Sequence, residues 1–156
     1  MEKVRIESVE PRAAGPADEK RSLTDPLGAT DLAVNYYELE PGDSFAFGYH
    51  AHSDQEEVFY VQSGTVTFET EDGPVDVAAG ELVRFGPGEF QRGVNRGDER
   101  VAALALGAPR ESGNLDLRRA CPDCEGRTPN VIERAGSGDA LVTVCENCGA
   151  ETERFD

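Results

Sequence analysis

Both histidines of this 156-residue chain lie in the run Gly48-Tyr49-His50-Ala51-His52. Successive side chains on a strand alternate faces, so His50 and His52 project to the same side, one pleat apart. Glu57 follows across Ser53 and Asp54, which read as a turn. Two imidazoles and one carboxylate form the facial ligand set used for non-haem iron and related divalent ions. Read without a metal, the same run is an exposed histidine pair on a solvated strand.

All four cysteines sit at the other end, as Cys121-Pro122-Asp123-Cys124 and Cys145-Glu146-Asn147-Cys148. Two C-x-x-C pairs separated by 20 residues read as a four-cysteine structural zinc site. Glu125-Gly126 and Gly149-Ala150 supply small turn residues that let backbone amides approach the thiolates. A redox dithiol pair and a disulfide framework compete with this reading, and rubredoxin-type iron uses similar knuckles. No thioredoxin-like βαβ pattern surrounds either pair, which favours zinc. About forty residues with so few apolar side chains cannot support a core alone, so metal must do much of the folding. Losing that metal is therefore expected to unfold the cysteine segment while leaving the rest of the chain nearly intact.

The elements that must carry these groups are strands. Residues 32–39 alternate, with Val34 and Tyr36 on one face and Tyr37 and Leu39 on the other. Residues 57–61 and 65–69 are β-branched and aromatic runs joined by Gln62-Ser63-Gly64, a short hairpin. Residues 74–77, 82–85 and 100–106 continue the pattern between turns at Glu71-Asp72-Gly73 and Arg96-Gly97-Asp98-Glu99. In the cysteine segment, residues 131–134, 140–144 and 150–155 read as strands, the first two around Gly136-Ser137-Gly138-Asp139. Nothing supports a long amphipathic helix, and short strands at even spacing argue a sandwich or barrel. Val4, Ile6 and Val9 suit an edge strand. Phe59 and Val61 share the face of Glu57, and Phe45, Phe47 and Tyr49 flank the histidines as a possible apolar wall. An inward Arg84 or Arg92 would suit a carboxylate-bearing ligand, although a solvated surface arginine is the commoner case.

The pair of motifs across residues 31–108 resembles the cupin superfamily. The first motif matches as Gly42, His50-x-His52, Glu57 and Gly64. The second matches as Gly80, Pro87-Gly88 and Asn95, with Gln91 where that family usually has a histidine. The resemblance implies an all-β double-stranded β-helix, a jelly-roll barrel, with a divalent metal (iron, manganese, nickel or zinc) held by His50, His52, Glu57 and Gln91. A glutamine oxygen is neutral and harder than imidazole, so it shifts preference toward oxygen-loving ions. Alternatively, Gln91 hydrogen-bonds to a metal-bound water and leaves positions open. The C-terminal segment resembles a zinc ribbon, with Cys121, Cys124, Cys145 and Cys148 as ligands. The expected organisation is an N-terminal arm at 1–30, a cupin barrel at 31–108, a linker at 109–117 and a ribbon at 118–156.

Thirty-one acidic residues against fifteen basic ones give a net charge of -16, and only Lys3 and Lys20 are lysines. Such a surface resembles proteins of salt-loving archaea, where high salt screens self-repulsion. No apolar run reaches membrane-spanning length, and the charged start is no signal peptide, so a cytoplasmic protein is expected. The ribbon carries five arginines against eight carboxylates, a net of -3. It therefore lacks the basic patch that phosphate-backbone binding needs, and nucleic acid is not an expected partner. Three functions fit: a metallo-cupin enzyme (dioxygenase- or isomerase-like) acting on a small polar metabolite, a non-catalytic cupin that binds a ligand or metal, and a barrel whose ribbon docks a protein or serves as structural support. A homodimer is expected by analogy with cupins.

Overall fold

The computed structural model describes every residue except 13, 137 and 139. Thirteen strands appear among the described residues. The first nine are β1 (Glu19–Ser22), β2 (Ala33–Leu39), β3 (Tyr49–His52), β4 (Glu56–Ser63), β5 (Thr65–Thr70), β6 (Gly73–Ala78), β7 (Leu82–Phe85), β8 (Gln91–Val94) and β9 (Val101–Ala108). They are followed by β10 (Leu115–Ala120), β11 (Arg127–Arg134), β12 (Leu141–Cys145) and β13 (Glu151–Phe155).

Two sheets face one another. One has the order β1-β2-β9-β4-β7 and the other β13-β12-β11-β10-β3-β8-β5-β6. The binary pattern explains the layers. Along β9, burial alternates without a break, and Val101, Ala103 and Ala105 face the core. Tyr37 and Leu39 of β2 do the same, as the period-2 pattern requires. Between the sheets, Phe45, Phe59, Phe68 and Phe85 pack as a chain of rings with centroids 5.0–5.2 Å apart, a spacing that adds to their area burial. The sequence expectation of an all-β barrel is met.

The edge strand is not where apolar residues suggest it. Val4, Ile6 and Val9 surround a 3-10 turn at Ile6–Ser8, and the edge of the first sheet is β1, with the sequence Glu-Lys-Arg-Ser. That strand has no apolar alternation because backbone pairing with β2, from Glu19↔Glu38 to Ser22↔Asn35, holds it instead. It lies within the segment read as an arm. The segment read as a linker likewise ends in strand, since β10 begins at Leu115. Ser137 and Asp139 of the turn expected between β11 and β12 lie outside the described residues.

β10 ties the cysteine segment to the barrel. It pairs on one side with β3, placing Leu115 opposite His52 and Leu117 opposite His50, and on the other side with β11. Because β10 belongs to one continuous sheet with β3 and β11, ribbon and barrel are linked by backbone pairing.

Two outcomes follow from this packing. A Cβ built on Gly93 would lie 2.6 Å from Phe45 and 2.7 Å from Phe68, so Gly93→Ala should lower the urea-unfolding free energy by about 1–3 kcal/mol through overpacking. Cys145→Ser should lower the thermal transition of the barrel as well as the ribbon, by about 2–4 °C for each kcal/mol lost. A calorimetric scan that kept the barrel transition in place would separate the two units.

Candidate metal centre

β3 presents His50 and His52 on one face, with ring centroids 5.1 Å apart. β8 lies beside it, and His50 pairs directly with Gln91, which puts both side chains on the inner face. Glu57 comes from β4 in the opposite sheet. The site therefore bridges the two layers. His50 Nε2 is 3.7 Å and His52 Nε2 3.6 Å from Glu57 Oε2. The three ligand atoms all lie within 4.8 Å of one another. His50 Nδ1 sits 3.1 Å from the carbonyl oxygen of Gly48, the contact that fixes a tautomer and leaves Nε2 free to bind.

Burial by itself would raise the Glu57 carboxyl. Hydrogen bonds and charge from the two imidazoles outweigh it and hold Glu57 down at about 2. Gln91 Nε2 donates to Glu57 Oε2 at 3.0 Å and lies 3.3 Å from His50 Nε2. Its Oε1 is buried with no hydrogen-bond partner, as is Nδ1 of His52. An orphaned carbonyl oxygen beside two imidazoles and a carboxylate suits a cation, because turning the amide over exchanges a donor for an oxygen ligand. The residue set fits a divalent ion.

The triad faces a cavity of about 310 Å3. Phe45, Phe47 and Phe59 line it, as the sequence suggested, but Val61 and Tyr49 do not. Val61 is fully buried in the core. Tyr49 is on the outer face, stacked on Phe90 at 5.2 Å. Neither Arg84 nor Arg92 reaches the cavity. Arg84 is exposed and paired with Glu56, and Arg92, next in sequence to inward Gln91, points away. The cations that do line it are Lys20 and Arg110, which sequence reading missed because both lie far from either motif. Lys20 is one of only two lysines, and that rarity was its one signal.

Cys121, Cys124, Cys145 and Cys148 also converge within 4.8 Å, with Cys121 Sγ 3.5 Å from Cys148 Sγ. Gly126 and Gly149, with φ of 75° and 77°, take the left-handed turns after each pair that a Cβ would oppose. Thr128 Oγ1 lies 3.2 Å from Cys145 Sγ and pulls that thiol down to about 6, toward the thiolate that metals bind.

Residues 35–107 match the cupin domain. The match runs from β2 to β9, so the barrel resembles a cupin domain. It resembles a sugar phosphate isomerase of the cupin superfamily from Silicibacter pomeroyi at 21% identity and a TM-score of 0.67, over 94% of each chain. It also resembles the polyketide cyclase RemF of Streptomyces resistomycificus at 23% identity and 0.65, covering 79% of this chain and 89% of that one. A predicted oxalate decarboxylase from Thermotoga maritima is similar at 22% and 0.59, covering 69% of this chain and 98% of that one. At these identities the likeness shows the cupin fold alone. No curated protein matches the sequence significantly.

The depressed Glu57 sets a pH dependence. A carboxyl held below its unfolded value stabilises the fold in full above about pH 4.5, and the contribution fades as pH falls toward 2. Glu57→Gln should flatten the urea midpoint against pH across that window when compared with wild type.

Proposed function

We propose that this protein is a small metalloenzyme, isomerase-like or dioxygenase-like, that acts on a small polar metabolite. His50, His52, Glu57 and Gln91 hold its divalent metal. The observation that carries this reading is the convergence of His50, His52 and Glu57 from two sheets onto one cavity of about 310 Å3, a volume suited to a small metabolite, with Gln91 hydrogen-bonded to Glu57 behind them. A bound divalent ion supplies Lewis-acid polarisation of a carbonyl or hydroxyl group. The chain's own residues do the rest. The Gly48 carbonyl orients His50, Gln91 positions Glu57, and Phe45, Phe47 and Phe59 limit water at the reacting atoms. Isomerase chemistry is favoured over dioxygenase chemistry by the sugar phosphate isomerase that aligns over 94% of both chains, ribbon included.

In this reading the four cysteines hold zinc. Four thiolates around a tetrahedral ion with bonds near 2.3 Å lie about 3.8 Å apart, close to the 3.5 Å between Cys121 and Cys148. The ribbon then serves as structural support for β3, the strand that bears both histidines, and offers a surface for a protein partner. A homodimer, a cytoplasmic location and the salt-rich cytoplasm of a halophilic archaeon complete the proposal. They draw on analogy with cupins and on the net charge of -16 with two lysines. No helix is long and apolar enough to cross a membrane among the described residues.

A second reading keeps the metal and removes the chemistry: a non-catalytic cupin that binds a ligand or metal, with the ribbon as an interaction or structural module. It is favoured by the scarcity of carboxylates, since among the described residues Glu57 is the only one lining the cavity.

Elemental analysis of protein purified in high salt should find about two metals per chain, falling to one, zinc, in the double variant His50→Ala/His52→Ala. Gln91→His should tighten barrel metal binding, and unchanged affinity would place Gln91 outside the coordination sphere. Incubation of metal-loaded protein in deuterium oxide with small hydroxy-carbonyl compounds, charged and neutral, should introduce deuterium beside the carbonyl, and the double variant should not. Oxygen consumption would select the dioxygenase form. Full metal occupancy with neither activity would select the non-catalytic reading.

A further inference from the structure

The charge lining the cavity is opposite in sign to that of the molecule. The chain holds 31 acidic residues, yet among the described residues Glu57 is the single carboxylate lining the cavity, against Lys20, Arg110 and two imidazoles. A divalent ion on the triad makes the excess positive charge larger. The two cations differ in how they are held. Arg110 donates to Asp25 Oδ1 at 2.6 Å and to the carbonyl oxygen of Ala29 at 3.0 Å, so part of its guanidinium is already engaged. Lys20 is half-buried on β1, opposite Tyr37 in the register, and its Nζ sits 5.2 Å from the centroid of the Tyr37 ring. Among the described residues it makes no ion pair with a carboxylate, although the rest of the chain offers carboxylates in abundance. A half-buried ammonium without a counter-charge is costly unless a ligand supplies one. The same cavity wall also carries Asn35, Gln55 and Ser112, neutral hydrogen-bonding groups of the kind that hold hydroxyls.

We propose that Lys20, with Arg110 on the same cavity wall, is the anchor for an anionic group, phosphate or carboxylate, on a small hydroxylated substrate whose other end reaches the metal triad. This deepens the proposed reading of the cavity as the ligand site and rests on it. Lys20 is a specificity-determining residue here. It binds the anion and orients the reacting end, while the triad performs the chemistry. An ammonium on a flexible stem suits such a tethering role, as a point charge that phosphate or carboxylate oxygens can meet from several directions. The placement also explains why an edge strand with no apolar pattern is kept against β2, since it carries the ammonium to the cavity.

The test is calorimetric titration of inorganic phosphate, and in parallel acetate, into the full-length metal-loaded protein at one fixed salt concentration, with glycerol as the neutral control. Lys20→Ala should weaken anion binding by about tenfold or more, Lys20→Arg should keep most of it, and glycerol should not discriminate among the three proteins. Metal content and thermal transition should stay at wild-type values in both variants, which separates loss of the anchor from loss of the fold. A larger penalty for phosphate assigns a phosphorylated substrate, and a larger penalty for acetate assigns a carboxylated one. Equal anion affinity in wild type and Lys20→Ala, or no anion binding by the wild type, overturns the proposal. Failure of the metal reading shows separately, as a wild-type protein with zinc alone. The Lys20 dependence is still measurable there, and in the His50→Ala/His52→Ala variant.

Discussion

Glu57 meets the two imidazoles across the gap between the sheets, and the rest of the molecule is arranged around that meeting. A carboxylate taken out of water at the inner face of β4 is tolerated only because His50, His52 and Gln91 answer it from the facing layer. The requirement fixes the separation of the layers and the side on which β3 and β8 present their residues. A one-residue slip of β3 would turn both histidines to the outer face and leave Glu57 buried alone. The ring-to-ring packing of Phe45, Phe59, Phe68 and Phe85 sets the same separation from the apolar side. Polar and apolar halves of the core therefore specify one register between them.

The cysteine segment belongs to this arrangement through β10. With β10 paired to β3, the strand that bears both histidines is flanked on both sides, by β8 and by β10. It spans only four residues, and so short a strand has little stability of its own. Leu117, buried and directly opposite His50, lines the cavity from the β10 side. The order of the cysteine knuckles thus bears on the shape of a cavity in the other part of the chain, with no direct contact between the two ligand sets.

Charge is distributed with a purpose that composition hides. The surface is strongly acidic, which favours solubility and repels itself unless salt screens it, while among the described residues the cavity has Glu57 as its single carboxylate and receives Lys20 and Arg110. In the proposed reading, this field of opposite sign inside an acidic shell favours small ligands that carry negative charge.

Much of this was legible in the order of residues alone. The period-2 patterns around Tyr37 and Leu39, Phe59 and Val61, and Val101 to Ala105 are local consequences of strand geometry, so the all-β barrel could be read from them. The pairing of His50 with His52 and of the cysteines within each knuckle is likewise local, because side chains two apart on a strand or three apart on a knuckle converge whatever surrounds them, whereas the meeting with Glu57 and of the two knuckles needed the fold. Three further matters were settled only by the tertiary structure. β1 is an edge strand held by backbone pairing, which leaves no side-chain pattern, so neither it nor Lys20 could be placed on the cavity from sequence. Leu115 to Leu117 read as linker because their pairing partners, Ala51 and the two histidines, lie more than sixty positions earlier. Arg84 and Arg92 sit near the second motif in sequence but away from the cavity in space, since alternation along a strand sends neighbours to opposite faces and only the folded register decides which face is inward.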